Sequence, residues 1–170
     1  DGGPALLTVS VIMPTLNWGG CFDVAASSVI AQLGGVSAAG TEFLVVSDGP
    51  GGGAPVILAY GKCRVLATGV RKGPACARNL GAAHAVGDVL FFVDADVEIA
   101  PGAIERVRAA FGTAPDLMAV FGTYDDAPAC EGTVSQFRNL LHHHTHVSHP
   151  GKAATFWSGC GAIRAARSEE

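Results

Sequence analysis

Short apolar runs alternate with segments of helical spacing along most of the chain. The apolar runs at residues 9–13, 43–46, 64–67, 89–93 and 117–121 predict strands, and residues 156–163 predict a further strand with a turn. Helical spacing of apolar residues predicts helices at residues 21–33 and 74–86. A third helix is predicted after Pro101, with Ile104, Val107 and Phe111 on one apolar stripe. Strands that alternate with helices predict a three-layer α/β domain with a mostly parallel central sheet.

A fourth helix is predicted to begin at Thr133-x-x-Gln136, which resembles a capping box. Its apolar residues are expected to face the core: Val134, Phe137, Leu140 and Leu141.

A histidine cluster follows on the same helix. His142, His146 and His149 share one helical face, which is a spacing that metal sites use, and His144 is expected to be packed beside the apolar stripe. Neither a cysteine nor an acidic ligand lies nearby in sequence, so the polar lining of an acceptor cleft is the favoured interpretation.

Polar side chains stand at the ends of three predicted strands. Asn17, Asp48, and the pair Asp94 and Asp96 each follow an apolar run. In open α/β sheets ligands bind in the crevice outside the carboxyl ends of the strands. We therefore expect a ligand site at this edge of the sheet.

The pair Asp94-x-Asp96 can share a divalent cation and its nucleotide phosphates, whereas a solvated turn is the structural alternative. Arg78 lies in the opening turns of a predicted helix, after Arg71 and Lys72 in the preceding loop. Cations beside free helix N–H groups form an anion site. The alternative for Arg78 is an ion pair with a carboxylate such as Asp88.

Three other positions have both a structural and a binding interpretation. Asn17 is either an N-cap or a ligand contact, and Asp48 is either a turn former or an acceptor for the N–H of a pyrimidine base. The motif Gly159-x-Gly161 lets a ligand or another backbone approach closely. It lacks the third glycine and the early strand of a dinucleotide fingerprint, which excludes a nicotinamide site.

Composition narrows the classes of partner. The chain has 170 residues, 49% of them hydrophobic, with 11 Lys and Arg against 15 Asp and Glu. The resulting net charge of −4 argues against nucleic-acid binding. Five cysteines without a C-x-x-C pair predict neither a zinc site nor a disulfide framework, so we expect a reducing, cytoplasmic location, which includes the cytoplasmic face of a membrane.

Taken in order, these stretches resemble one known family. The sequences VSVIMPTLN, EFLVVSDGP, GPACARNLGAAHAVGD, VLFFVDADV and FWSGCGAIR resemble the inverting, metal-dependent glycosyltransferases of family two, which have the GT-A fold. The match extends over residues 9–164. The resemblance implies transfer of a sugar from a nucleotide-diphosphate-sugar donor to a sugar, lipid-linked or small-molecule acceptor, with Mn²⁺ or Mg²⁺ as cofactor.

The resemblance also implies roles for individual residues. Base and ribose would contact Pro14, Thr15, Asn17 and Asp48. The diphosphate would lie near Arg78 and Lys72, and Asp94 would lie by the ribose or the metal. Asp96 would be the principal metal ligand. The candidates for contact with the acceptor or the sugar are Trp157, Gly159, Gly161, His142 and His146. Ser47 stands where the family has a first acidic residue, so the choice of base is open.

The family's catalytic base lies downstream of the Gly-x-Gly segment. We expect this base beyond Glu170. Residues 1–170 are therefore predicted to be one donor-binding domain that is incomplete at its C-terminus. A membrane association through a part outside these residues is a further possibility. One alternative is a non-catalytic nucleotide-sugar-binding module. Another is a haloacid-dehalogenase-like phosphatase with Asp94 as nucleophile, although Glu98 and the late position of the motif argue against it.

Overall fold

The order of elements along the chain is that of an α/β domain. The computed structural model describes residues 6–34, 39–59, 63–127, 132–148, 151–152 and 155–165. Within these residues the elements are β1 (Val9–Thr15), α1 (Gly20–Ile30), β2 (Thr41–Ser47), β3 (Cys63–Ala67), α2 (Pro74–His84), β4 (Val89–Val93), α3 (Ala103–Thr113), β5 (Ala119–Phe121), α4 (Thr133–Ser148) and β6 (Cys160–Arg164), with a short 3₁₀ helix at Val56–Ala59. All the predicted strands and helices are present, with ends that differ by a few residues.

The strands form one mixed sheet in the order β3-β2-β1-β4-β6-β5. The β3, β2, β1 and β4 strands are parallel, whereas β6 is antiparallel to both β4 and β5. Because β5 and β4 both oppose β6, they run in the same direction. The carboxyl ends of β1, β2, β4 and β5 and the amino end of β6 therefore share one edge, which we call the carboxyl edge.

Both faces of the central strands are covered. Alternate residues of β1 point to opposite sides: Val11 packs in a core that includes Phe22 of α1 and Phe111 of α3, and Ile12 packs in a second core that includes Ala77 of α2. Strands buried on both faces read as continuous apolar runs. This explains why β1, β2 and β4 are predictable from sequence, and it confirms the mostly parallel, three-layer α/β fold.

Helix α2 lies unusually close to the sheet. A Cβ atom added at Gly81 would stand 2.5 Å from Cγ2 of Ile12 and 3.2 Å from Cγ2 of Val46. Only a glycine fits there without movement of the sheet. The contact fixes the height of α2 above β1 and β2, and with it the position of Arg78, which lies one turn earlier on the helix.

The face of α4 that packs was predicted wrongly. The four residues expected in the core are exposed by 70%, 63%, 43% and 48%, in the order Val134, Phe137, Leu140 and Leu141. His144, which was expected to be packed, is exposed as well. The face turned toward the protein instead carries His143 and His146. Helical spacing shows that a helix has two faces, but it does not show which of them meets the sheet.

The described residues contain no helix that combines the length and the apolar character needed to cross a bilayer.

We expect Gly81→Ala to destabilise the fold, because the new methyl group must displace Ile12 and Val46. Overpacking of this kind typically costs about 1–3 kcal/mol, which over most of that range exceeds the roughly 1 kcal/mol gained by replacing glycine in a helix. Urea unfolding measures the difference. Gly112→Ala is the matched control, since nothing lies within 4 Å of a Cβ at that position on α3. Equal stability of the two variants would contradict the close contact.

Candidate functional site

The carboxyl edge brings together the polar residues that follow the parallel strands. Thr15 at the end of β1 pairs with Ser47 at the end of β2, and Asp48 is the next residue after Ser47. Asp94 follows the last residue of β4, which is also parallel to β1. The three strand ends therefore deliver their side chains to one surface, as the sequence predicts.

A cleft of about 450 Å³ opens at the ends of β1 and β2. Its lining residues are Leu16, Asn17, Trp18, Ser47, Asp48, Gly49, Pro50, Gly51, Gly52 and Arg71. The indole Nε1 of Trp18 donates a hydrogen bond of 2.8 Å to the carbonyl of Gly52, which holds the glycine-rich loop against the segment that follows β1. The cleft thus has one aromatic wall and one wall of backbone groups.

Pro14 and Thr15 shape this cleft from behind. Both are buried in β1, and neither lines the cavity. The Thr15 hydroxyl donates to the carbonyl of Asn17 at 2.7 Å, and the Thr15 carbonyl accepts from the N–H of Asp48 at the same distance. Asn17 itself is exposed on the cleft wall.

Asp48 is 6% exposed as a residue, and its carboxylate accepts three hydrogen bonds from the segment before α2. Its Oδ1 accepts from the Lys72 N–H at 2.7 Å and from the Thr68 hydroxyl at 3.2 Å, and its Oδ2 accepts from the Gly73 N–H at 2.9 Å. These bonds, chiefly that from Lys72, and the charge of Arg71 lower the pKa of Asp48, although burial acts in the opposite direction.

Three cations surround the N-terminus of α2. Arg71 and Lys72 are exposed in the preceding loop, and Arg78 lies one turn inside the helix. Gly73 adopts a positive φ of 91° and is followed by Pro74 in the first turn. No ion pair of Arg71 or Lys72 is seen within the described part of the chain, so both remain available to an anion.

Arg78 pairs with Asp94, which follows β4. Its Nη2 donates to Oδ1 of Asp94, and the two side chains are 19% and 34% exposed. The Nε of Arg78 is buried without a hydrogen-bond partner. The structure thus confirms an ion pair of Arg78 with a carboxylate, but the partner is Asp94 and not Asp88, the example that the sequence suggests. Asp88 accepts from the backbone N–H and the hydroxyl of Thr8.

Asp96 is exposed two residues beyond Asp94, within a turn that is closed by the bond from the Val97 N–H to the Asp94 carbonyl. The charges of Asp96 and Asp94 add to burial, the larger cause, in raising the pKa of Tyr124, so both carboxylates lie near that phenol. In the described ranges no three His, Cys, Asp or Glu side chains converge on one point. Two carboxylates fit Mg²⁺ or Mn²⁺ held jointly with phosphate oxygens and water, as these ions prefer.

An aromatic–histidine cluster occupies the β6 side of the carboxyl edge. Tyr124 lies between Trp157 and His142, at centroid distances of 5.0 and 5.6 Å, and His146 lies 6.0 Å from Trp157. His143 bonds the Tyr124 carbonyl through Nδ1 at 2.6 Å. His142 and His146 share a face as predicted, whereas His149 lies outside the described residues.

The Gly159-x-Gly161 motif makes room for the chain itself. A Cβ at Gly159 would stand 2.8 Å from the indole of Trp157, and one at Gly161 would stand 2.5 Å from the Trp157 carbonyl. The carbonyl of Gly159 also accepts from the N–H of Asp94 at 2.9 Å. These glycines therefore seat Trp157 against the segment whose backbone bonds to Asp94.

Two residues of this surface, Trp18 and Tyr124, have no assigned role in the sequence interpretation. Trp18 is the residue after Asn17 and forms the cleft wall. Tyr124 follows β5, whose carboxyl end reaches the same edge only because β5 is placed beyond the antiparallel β6. Trp18 could have been found from the sequence, because it is the neighbour of the candidate residue Asn17. The place of Tyr124 depends on the strand order, which the sequence does not show.

Residues 10–166 match the family model described as Glycosyl transferase family 2. No curated protein sequence shows significant similarity to the chain. Two solved structures share the GT-A-like fold: the mannosyltransferase PcManGT from Pyrobaculum calidifontis, in complex with GDP-Man and Mn²⁺, and TarS 1-349 from S. aureus. Each superposes with a TM-score of 0.66 at 18% identity. The matches cover 93% and 94% of this chain but 44% and 47% of the others, so the chain spans less than half of their length.

We expect Asp48→Asn to destabilise the protein at pH 7, because the amide nitrogen cannot accept the N–H bonds that the carboxylate accepts. The folded-state pKa lies below the unfolded value of about 3.9, so the advantage of the wild type is fully present above pH 4 to 5. It should vanish as the pH falls through the folded-state pKa.

Thermal unfolding midpoints between pH 7 and pH 2 measure this dependence, with Asp116→Asn as the control for losing one exposed carboxylate. An advantage of the wild type that stays constant down to pH 2 would show that the Asp48 charge does not hold the loop.

Proposed function

Because this chain belongs to glycosyl transferase family 2, we propose that it binds a nucleotide-diphosphate sugar along the carboxyl edge and transfers the sugar to an acceptor hydroxyl. One observation carries the proposal, namely the order of the sites across the sheet. The cleft lies at β2 and β1, the Arg78–Asp94 pair joins α2 to β4, and the aromatic–histidine cluster lies at β6 and β5. This order suits base, diphosphate, metal and acceptor in succession.

The nucleoside would occupy the cleft. Asn17 and the face of Trp18 line it, and the glycine loop offers backbone groups at close range. The diphosphate would then reach Arg71, Lys72 and the N-terminal turn of α2, where free N–H groups and the helix dipole favour an anion.

Arg78 and Asp94 would exchange partners when the donor binds. Without a ligand each neutralises the other in a half-buried setting. A partly desolvated charge that loses its partner is costly, so the pair opens only if both ions gain new partners at once. A diphosphate for Arg78 and a cation for Asp94 satisfy this condition together. The unpaired Nε of Arg78 adds one more donor for a phosphate oxygen.

Asp96 would be the principal protein ligand of Mn²⁺ or Mg²⁺, with Asp94 as the second carboxylate. When bound, the ion would offset the negative charge that develops on the leaving diphosphate. The exposure of Asp96 leaves its oxygens open to such an ion.

Transfer would invert the anomeric carbon. The acceptor oxygen forms a bond to that carbon as the bond to the β-phosphate oxygen breaks, and the hydroxyl proton passes to a carboxylate. We assign no such base among the described residues. The acceptor would approach past Trp157, Gly159 and Gly161, with His142 and His146 beside them. It would be a sugar, a lipid-linked molecule or a small-molecule alcohol, and transfer would take place in the cytoplasm or at the cytoplasmic face of a membrane.

We expect Asp96→Ala to abolish the part of donor affinity that depends on metal, because it removes the exposed carboxylate. Titration calorimetry with guanosine- and uridine-diphosphate sugars measures this, with Mn²⁺ present and with Mn²⁺ removed by chelation. Wild-type protein should bind at least about tenfold more tightly with the ion, a difference of about 1.4 kcal/mol.

Asp116→Ala is the control, since Asp116 is exposed and precedes β5 at the opposite edge of the sheet. The metal assignment is overturned if Asp96→Ala keeps the full gain from Mn²⁺. The donor proposal itself is overturned if the wild-type protein binds neither sugar nucleotide.

A further inference from the structure

Helix α4 is amphipathic, but its two faces are reversed relative to those of a helix that packs in water. Five exposed apolar residues lie along one side of it and form what we call the outer stripe: Val134, Phe137, Leu140, Leu141 and Val147. On the rest of the helix, Oδ1 of Asn139 and Nδ1 of His146 are buried with no hydrogen-bond partner among the described residues. This orientation is favourable where the outer stripe meets an apolar phase instead of water.

The outer stripe is small for an interface between proteins. It extends along one helix from residue 134 to residue 147, which is about 20 Å along the helix axis. A stable dimer buries about 800 Å² and roughly 20–30 residues on each partner. The stripe offers five side chains, which are 43% to 70% exposed. A helix that lies in the plane of a membrane needs only such a face, because its apolar side chains enter the bilayer to a depth of about 5–10 Å.

The charge around α4 differs from that of the chain as a whole. In the sequence, residues 132–152 contain Arg138, Lys152 and five of the six histidines, and the acidic residues that precede them end at Glu131. This segment contains no aspartate or glutamate, whereas the whole chain has a net charge of −4. Basic residues beside an exposed apolar helix face attract anionic lipids. The charge of this segment is therefore complementary to an anionic bilayer surface.

Helix α4 also joins the outer stripe to the acceptor side of the carboxyl edge. His142 lies 5.6 Å from the ring of Tyr124, and His146 lies 6.0 Å from that of Trp157, measured between ring centroids. Phe156, the neighbour of Trp157 in the chain, is 40% exposed. A surface that receives the outer stripe would therefore lie next to the aromatic–histidine cluster.

We propose that the outer stripe inserts into the surface of an anionic lipid bilayer, so that α4 lies in the plane of the membrane. The apolar side chains replace water by lipid, and the basic residues of the segment meet the anionic headgroups. This docking is independent of the function proposed above, because it needs neither a donor nor a metal. It attaches the protein to a membrane through residues of the chain itself.

Flotation with vesicles tests the docking. Wild-type protein should bind vesicles of phosphatidylcholine with phosphatidylglycerol, and should bind phosphatidylcholine alone at least about fivefold more weakly. Phe137→Ser should weaken binding about tenfold, and the double variant with Leu141→Ser about a hundredfold, because each change removes an apolar side chain from the bilayer. Both side chains are exposed, so both variants should fold. Val24→Ser is the matched control, at a valine that is 53% exposed on α1, and should bind like the wild type.

A second measurement reports insertion directly. In Phe137→Trp the new indole should be quenched by brominated lipid, whereas Val24→Trp should show no more quenching than the wild type. The docking is overturned if the double variant binds vesicles as well as the wild type does, or if the wild type binds neither kind of vesicle. It is also overturned if sedimentation equilibrium shows a wild-type dimer that Phe137→Ser dissociates, because a second copy then covers the stripe.

Titration calorimetry with sugar nucleotides separates this docking from the proposed function. Phe137→Ser should keep the wild-type donor affinity, because the outer stripe takes no part in the donor site. If the wild-type protein binds sugar nucleotides but no vesicles, the docking is overturned and the proposed function stands. If it binds vesicles but no sugar nucleotide, the proposed function is overturned and the docking stands.

Discussion

The parallel alignment of β1, β2 and β4 is the constraint on which the site depends. Their hydrogen-bonded registers place Thr15 beside Ser47 and run β4 in the same direction, so whatever follows these strands meets at one edge. The strands are held in this arrangement by burial on both faces, with α1 and α3 on one side and α2 on the other. The close contact of α2 with the sheet at Gly81 then places Arg78 at the same edge.

The charges at this edge are organised before any ligand arrives. Asp48 holds the loop of residues 68–73, and Arg78 holds Asp94, so both of these carboxylates have partners. The Arg78–Asp94 pair thereby stays compensated until a donor offers new partners to both ions. The net charge of −4 hides this arrangement, because three of the 11 Lys and Arg residues lie together around the N-terminus of α2.

Much of the fold can be predicted because its central strands are buried on both sides and read as unbroken apolar runs, of which residues 89–93 are the clearest. The polar residues at strand ends can be predicted from the same logic. Pairings between residues that are distant along the chain cannot be predicted in this way. Sequence alone does not show that Arg78 takes Asp94 rather than Asp88, or that Asp48 accepts from Lys72, since these contacts depend on how α2 is seated.

Helix α4 shows the other limit of sequence reasoning. Its apolar stripe includes Phe137 and is exposed, because the histidine face makes the contacts with Tyr124 and Trp157. Aromatic rings and imidazoles can form a packed face as well as aliphatic side chains can, and periodicity does not distinguish the two. The role of Tyr124 follows only once β5 is placed beside β6.

The order of base, diphosphate and metal across the sheet is tested most directly by paramagnetic broadening of backbone amide signals with Mn²⁺ and GDP. We expect the strongest loss of signal around Asp94 and Asp96, a weaker loss at Gly73 and Gly49, and none at Thr8 on the opposite edge. Without nucleotide the effect at Gly73 and Gly49 should be much reduced. Broadening centred on α4, or a pattern that ignores the nucleotide, would contradict a donor site at this edge.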